Sequence, residues 1–256
     1  MSYPTISCII STYNRANFLR RALASVLAQD IKEEIECVVV DDASTDSTFD
    51  VVKSFDKAFT LKGIPLLFYK LGENSGYQCK PKNVGVQHCN GEFIAYLDDD
   101  NVWKPNHLRE LFTAIIEKEV DMVYGMREYK AMEGYDPIHL GKKLSLGPSP
   151  IFPFEVERLE QGNFIDTSDI MHTKGAYYLL ASKTECGWDE EMRRFADWNF
   201  VYRWAKVGLS AAPVYRILTE YWWHGQNLQL TRPVMEQPLA VGRFDLENSG
   251  LHTNAG

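Results

Sequence analysis

Apolar and polar stretches alternate along this chain in a regular order. Thr5 to Ile10 is a short, β-branched apolar run and predicts a strand buried on both faces. Polar Ser11-Thr12-Tyr13-Asn14-Arg15 follows. Phe18, Leu19, Ala22, Leu23, Val26 and Leu27 then recur at helical spacing behind Asn17, which predicts a helix with Asn17 as its N-cap. The cycle repeats. Glu36 to Val40 predicts a second strand that stops at Asp41-Asp42, and Ser44 to Thr48 supplies caps for a helix carrying Phe49, Val52 and Phe55. Pro65 to Tyr69 predicts a third strand, Asn74-Ser75-Gly76 a turn, and Lys82 to His88 a helix closed by Asn90-Gly91. Phe93 to Leu97 predicts a fourth strand, which runs straight into Asp98-Asp99-Asp100.

Strands that alternate with helices predict right-handed crossovers and an α/β fold with a doubly wound, mostly parallel sheet. Ligands of such sheets bind beyond the carboxyl ends of the strands. Three polar clusters occupy those ends here: Ser11 to Arg15, Asp41-Asp42, and Asp98 to Asp100. They are expected on one surface. After Trp103 the pattern loosens. Pro105 opens a helix with Leu108, Leu111, Phe112, Ile115 and Ile116 on one face, and Asp121 to Tyr124 predicts a strand. Residues 131–160 are rich in Gly, Pro and charge and read as a long excursion. Asp197 to Val207 predicts a helix stopped by Gly208, and Ala212 to Ile217 a further strand. The last ~25 residues carry few periodic signals and read as mobile or lid-like.

Length and charge narrow the field. The 256 residues suit one large domain or two packed halves. With 27 Lys and Arg against 35 Asp and Glu, the formal charge of −8 argues against broad electrostatic capture of nucleic acid or of an anionic membrane. No apolar run approaches the ~18 residues of a spanning helix, so a transmembrane segment is not expected. Met1-Ser2-Tyr3-Pro4 has no basic stretch followed by an apolar one, so no secretory signal is expected. The five cysteines are odd in number, scattered and without a Cys-x-x-Cys pair. They read as reduced thiols of a cytoplasmic protein, two of them pointing into the core from strands.

Asp98-Asp99-Asp100 is the sharpest chemical signal. Adjacent carboxylates repel one another, and a divalent cation relieves that repulsion with oxygen ligands, completing its shell with substrate phosphates and water. A solvated acidic turn would carry the same letters, but the position directly after a buried strand favours a site. Asp41 reads as a structural cap, whereas Asp42 is placed to accept a hydrogen bond from a nucleobase N–H. Tyr13 offers a ring to stack on a base, and Arg15 a guanidinium for a diphosphate.

Four segments in this order are together specific: Ile6 to Arg15, Ser25-Val26-Leu27-Ala28-Gln29, Val38 to Asp46, and Gly91 to Asp100. They resemble the family 2 glycosyltransferases of GT-A fold, densely over about the first 105 residues. Length and later layout are similar to the spore-coat polysaccharide glycosyltransferases within that family. The resemblance implies a GT-A (Rossmann-like) domain in which residues 1–103 bind a nucleotide sugar and residues 104–256, packed against them, bind the acceptor. It implies a nucleoside-diphosphate-sugar donor of the uridine or thymidine type. Ser11 and Tyr13 would hold the base and ribose, Asp42 would read the pyrimidine N3–H, and Asp99 would meet the ribose or the metal shell. Asp100 would ligate Mn²⁺ or Mg²⁺ through the donor diphosphate, with Asp98 and a late histidine, His224, as further candidate ligands. Lys82-Asn83 stands where the family commonly carries Arg-Asn, which makes Lys82 a candidate phosphate contact without the bidentate fork.

The family mostly inverts the sugar's anomeric centre with one carboxylate as general base. That base lies in an acidic pair after a Gly-aromatic-Asp-Glu stretch. Gly187-Trp188-Asp189-Glu190 followed by Phe195-Ala196-Asp197 matches it, with Ala196 in place of the first acid, and implies Asp197 as the base. An N-cap on its own helix is the plainer role for Asp197. Trp222 and Trp223 are candidates to pack on a sugar's apolar face, and equally core or hinge residues. Arg193, Arg194 and Arg232 are candidates for diphosphate contact. Residues from Asn163 to Thr173, Asp169 among them, are expected to shape the site of a hydroxyl-bearing glycan, glycolipid or small-molecule acceptor. A membrane-bound acceptor would be met peripherally.

Two other readings compete. Asp98-x-Asp100-x-Val102 after a strand also fits the nucleophile motif of haloacid-dehalogenase-like phosphatases, although that motif normally ends the first strand of its domain and here three predicted strands precede it. A non-catalytic relative that binds nucleotide or glycan without turnover would tolerate Ala196 and Lys82 but has no need of both Asp100 and Asp197.

Overall fold

The computed structural model describes residues 5–136, 138, 139 and 142–227. A sheet of nine strands forms its centre. In chain order the elements are β1 (Ile6–Thr12), α1 (Ala16–Leu27), β2 (Ile35–Asp41), α2 (Thr48–Leu61), β3 (Leu66–Lys70), α3 (Cys79–His88), β4 (Phe93–Asp98), β5 (Val102–Trp103) and α4 (His107–Lys118). The second half adds β6 (Met122–Ala131), the short β7 (Ile138–His139), β8 (Lys142–Lys143) and β9 (Gly147–Pro148), and α5 (Val156–Gln161). A 3₁₀ turn (Thr167–Asp169), β10 (Ile170–Thr173), α6 (Lys174–Thr184), α7 (Ala196–Lys206) and β11 (Ala211–Trp223) complete it.

The spatial order is β3-β2-β1-β4-β10-β6-β11-β5, with β9 added beside β6. The first four strands are mutually parallel, and β10 runs antiparallel between β4 and β6. Strand β11 is parallel to β6 and antiparallel to β5. The expected doubly wound, mostly parallel sheet is therefore present, with antiparallel strands inserted in the second half.

Side-chain alternation divides the core in two. Ile6, Cys8 and Ile10 of β1, Cys37 and Val39 of β2, and Ala95 and Leu97 of β4 face α1, α2 and α4. Ile9, Val38, Val40, Ile94 and Tyr96 face the other way, against α3, α6 and α7. Strands buried on both faces need near-continuous apolar runs, which is why these three were legible. All five cysteines are free, and Cys8 and Cys37 point inward from strands. Among the described residues no helix is long and apolar enough to cross a membrane.

Several boundaries differ from expectation. Asn17 does not cap α1. The helix begins at Ala16, and the amide of Ala16 donates to Asp46 Oδ2 of the β2–α2 loop at 3.1 Å. The same carboxylate takes the Thr48 amide and hydroxyl, so one aspartate serves two helix starts. Strand β11 continues to Trp223, well past Ile217, and β5, β10 and α6 had no clear sequence signal. The final ~25 residues and Arg232 lie outside the described residues.

Candidate active site

Register aligns the three polar clusters. Ser11 sits level with Val40 on one side and Asp98 on the other, and Thr12 level with Asp41. Beyond these strand ends lies a cleft of about 280 Å³. The first half supplies Ser11, Thr12, Tyr13, Arg15, Asp42, Asn74, Gly76, Tyr77, Gln78, Pro81 and Asp98 to Asp100. The second half supplies Asp166, Thr167, Arg193, Arg194, Phe195, Asp197, Tyr221 and Asn227. Ser11, Tyr13, Arg15, Asp42, Asp98, Asp99, Asp100 and Asp197 thus meet in one cavity, as expected.

Asp42 forms part of the wall. Its Oδ1 accepts the Ser75 amide at 2.9 Å, and its Oδ2 accepts the Ser75 hydroxyl at 2.9 Å and the Asn74 amide at 3.0 Å. That clamps the Asn74-Ser75-Gly76 turn and leaves about one of the carboxylate's four acceptor positions for a ligand. Asp41 is structural: its Oδ1 takes the Ser44 amide at 2.8 Å, and Lys70 Nζ lies 3.8 Å from its Oδ2. Tyr13 is 43% exposed at the cleft mouth, which suits a stacking ring.

Asp99, Asp100, Arg15 and His224 form an acidic rim. Arg15 Nη1 donates to Asp99 Oδ1 at 3.0 Å and to Asp100 Oδ2 at 2.9 Å, and Nη2 donates to the Gln226 carbonyl at 2.7 Å. Burial pushes Asp99 up to about 6 despite the Arg15 charge. Burial acts on Asp100 in the same direction, but the His224 hydrogen bond and the Arg15 charge outweigh it and hold the carboxyl below its ordinary value. The Gln226 amide donates to His224 Nδ1 at 3.1 Å, which makes Nδ1 an acceptor. The proton therefore sits on Nε2, 3.2 Å from Asp100 Oδ2.

These donors bear on a divalent cation. Among the described residues no three His, Cys, Asp or Glu side chains converge as a ready-made metal site. Asp100 fits a hard cation whose shell is completed by a diphosphate. His224 adjoins it, but offers a lone pair at Nε2 only if the Gln226 amide releases Nδ1. Arg15 spends three of its five N–H donors on two carboxylates and a carbonyl, which leaves two for a diphosphate. Asp98 departs from expectation: it does not join the pair. Its Oδ1 pairs at 3.1 Å with Lys82 Nζ.

Lys82 is also corrected. Its side chain is fully buried and does not line the cleft; Nζ donates to Gln78 Oε1, Asp98 Oδ1 and Thr167 Oγ1, which uses all three protons. A buried ammonium is stable only when paired in this way, so the lysine fixes the strand end instead of meeting phosphate. Its neighbour Asn83 bonds the Trp188 amide and carbonyl, the Tyr177 hydroxyl and Glu190 Oε1, which ties α3 to the Gly187-Trp188 loop.

That loop leads to Asp197. Phe195 holds a left-handed φ of 56° as the chain turns into α7, and Asp197 lies in the first helical turn, not at the N-cap. Asn163 Nδ2 donates to its Oδ2 at 2.7 Å. Burial raises the Asp197 pKa, offset in part by the Trp198 amide and the Lys82 charge. A desolvated carboxylate with a raised pKa is the stronger base. Asp166 was not singled out by sequence. It lines the same cleft, and burial, with Asp98, Asp169 and Asp197 nearby, pushes it up to about 8 against the Arg127 charge. It falls within Asn163 to Thr173, where the acceptor site was expected, but nothing in the letters set it apart from Asp169.

Asp169, Trp222 and Trp223, the expected acceptor contacts, do not line the cleft. Asp169 is completely buried in an ion pair with Arg127. Trp222 is capped by Arg21, 4.2 Å from the ring centre, and Trp223 stacks on Tyr129 at 5.7 Å. Neither ring lines the cleft; both anchor the end of β11.

Residues 7–172 match the family described as Glycosyl transferase family 2. The chain belongs to glycosyl transferase family 2. An uncharacterized glycosyltransferase of Nostoc sp. is 30% identical over 225 residues, 87% of this chain and 66% of that protein. The poly(ribitol-phosphate) beta-N-acetylglucosaminyltransferase TarS of Staphylococcus aureus is 35% identical over 118 residues, 46% of this chain and 20% of that protein. The chain thus spans less than two thirds of either relative. The crystal structure of S. aureus TarS 1–349 with UDP-GlcNAc superposes with a TM-score of 0.69 at 22% identity, covering 90% of this chain and 62% of that one. A mannosyltransferase of Pyrobaculum calidifontis with GDP-Man and Mn²⁺ gives 0.62 at 17% identity, covering 86% and 57%. These likenesses establish the GT-A fold. Family membership disposes of the phosphatase alternative, and the topology agrees. Asp98 ends the fourth strand in sequence, and its carboxylate is engaged by Lys82.

Proposed function

We propose that the chain transfers a sugar from a uridine or thymidine diphosphate sugar to an acceptor hydroxyl with inversion, Asp197 acting as general base. The observation that carries the reading is the placement of a half-buried carboxylate of raised pKa, Asp197, in the same cleft as the acidic rim Asp99-Asp100. UDP and UDP-GlcNAc complexes of a protein of the same fold support the donor class.

In this reading Tyr13 stacks on the base, Ser11 holds base and ribose, and Asp42 accepts from the pyrimidine N3–H beside the Ser75 turn. Asp99 contacts the ribose. Asp100, with His224 adjoining, would hold Mn²⁺ or Mg²⁺, which when bound offsets charge on the departing diphosphate. Asp197 takes the proton of the acceptor hydroxyl as that oxygen attacks the anomeric carbon from the face opposite the diphosphate. Asn163, bonded to Asp197, aims the carboxylate. The amide of Asp197→Asn keeps the Asn163 contact but cannot accept the proton. Transfer should fall at least ~1,000-fold while UDP affinity, read by calorimetry, stays within about threefold. Transfer at near wild-type rate would remove Asp197 from the role.

A further inference from the structure

The reading above leaves Asp166 without a task, although it lines the same cleft as the strand-end rim and the base. Its surroundings are built, not incidental. Its Oδ1 accepts the Ser168 amide at 3.0 Å and caps the 3₁₀ turn. That turn is fastened to the end of β4. Ser168 Oγ accepts the Asp98 amide at 3.1 Å and the Asn101 side chain at 2.9 Å. The Ser168 carbonyl accepts Trp103 Nε1 at 2.9 Å and the Thr219 hydroxyl at 3.1 Å. Capping alone does not call for a carboxylate here: Ser, Thr or Asn caps such a turn as well, without adding a fourth acidic group beside Asp98, Asp169 and Asp197. Two buried cations, Lys82 and Arg127, serve those groups. A carboxyl kept in such company, 8% exposed and facing a cavity, earns its place through what it binds.

We propose that Asp166 is a specificity-determining residue that grips a hydroxyl of the transferred sugar in the cleft it shares with the diphosphate anchor at Asp99-Asp100 and the base Asp197. The inference rests on the glycosyl-transfer reading of this cleft. Asp166 lines the same cleft as Asp99, Asp100 and Asp197; the anomeric carbon is bonded to the diphosphate and attacked from the opposite face, so the remaining ring carbons and their hydroxyls lie against the cleft wall to which Asp166 belongs. The rigid turn, anchored through Ser168, fixes the carboxyl to the same strand end as the rim, which converts a hydroxyl's position on the ring into a selective contact.

The test uses the full chain. Turnover of UDP- and dTDP-glucose, -galactose and -N-acetylglucosamine identifies the preferred sugar, and its singly deoxygenated forms locate the contacted hydroxyl. In wild type one deoxy donor should lose at least ~30-fold in kcat/KM against the parent. Asp166→Ser keeps a cap for the Ser168 amide but withdraws the side chain from the cleft, and Asp166→Ala removes both. In each, the parent-to-deoxy ratio should collapse by at least ~10-fold while UDP affinity stays within about threefold. Should Asp166→Ala fail to fold, Asp166→Ser carries the test. An unchanged ratio in Asp166→Ser, or loss of UDP affinity equal to the loss of turnover, overturns the proposal and leaves glycosyl transfer standing. A wild-type chain that binds neither UDP nor TDP and turns over none of these donors overturns both, so the two failures are distinguishable.

Discussion

At the scale of single residues, the site is organised by which charge each carboxylate is given. Asp98 has buried Lys82, Asp169 has Arg127, and Asp99 and Asp100 share Arg15. Asp100 is the one rim acid held below its ordinary value, and therefore the best prepared to stay ionised toward a cation. Asp100→Ala should abolish the Mn²⁺-dependent part of UDP binding, read by calorimetry with and without the ion; an affinity gain from Mn²⁺ equal to that of wild type would refute the assignment. Lys82→Met tests the other half of the arrangement. It keeps most of the stem volume but strands Asp98, and removing one partner of a buried pair costs about 3–5 kcal/mol. The melting midpoint should drop by about 6–15 °C, and adding Asp98→Asn should restore part of it. Additive losses in the double variant would show that the pair does not couple.

At the scale of elements, packing explains which parts of the fold could be read ahead of the structure. Strands β1, β2 and β4 are buried on both faces, so their apolar runs are long and their carboxyl ends stand out. The first half of the cleft, with Ser11, Asp42 and the Asp98-Asp99-Asp100 rim, followed from that. Strand β10 is four residues long, and its companion β5 is two, too short for a period to register. The second half depends instead on contacts far apart in sequence: Asn83 holding Trp188, Ser168 holding the end of β4, Asn163 reaching Asp197. The placement of Lys82 was not legible, and the Trp222-Trp223 pair stayed open between a sugar contact and packing, for the same reason: letters alone do not reveal that a side chain packs against a partner 16 or more residues away. Gly91 tests how tightly these elements fit. A Cβ there would lie 2.6 Å from Ser7 Oγ and 2.7 Å from the Ser7 amide, where β1 cannot retreat. Gly91→Ala should cost ~2 kcal/mol in urea unfolding. Gly175→Ala, which meets nothing within 4 Å inside α6, should be neutral or stabilising by up to ~1 kcal/mol. Equal effects at the two positions would contradict this account of the packing.

At the scale of the whole molecule, the buried titratable groups set how stability changes with pH, and their signs separate into two windows. His107 and His172 are completely buried, and burial pulls them down to about 3 and about 4. The unfolded chain protonates its histidines near pH 6.5, so below that the unfolded state holds more protons and stability falls with falling pH. Asp166 acts in the opposite sense: burial lifts it to about 8, while an unfolded aspartate titrates near 3.9. From about pH 4 to about pH 8 the folded state keeps a proton that the unfolded state has released, so this group's contribution is lost as pH rises. Asp99, lifted to about 6, adds to that loss only below neutrality, where the histidines oppose it. Burial raises Asp169 and Asp197 as well, and they act in the same sense; between about pH 6.5 and 8, above the histidine range, the melting midpoint should therefore decline, with Asp166 contributing across that interval. Asp166→Asn carries no ionisable carboxyl: it should lessen the alkaline decline, steepen the acid limb below about pH 6.5, where Asp166 no longer opposes the histidines, and melt above wild type at pH 8 by at least about 2 °C. Calorimetric scans of both proteins from pH 5 to pH 9 decide the matter. Parallel curves would mean that Asp166 is ionised throughout this range and that its neighbours, Arg127 foremost, neutralise it more fully than its burial opposes.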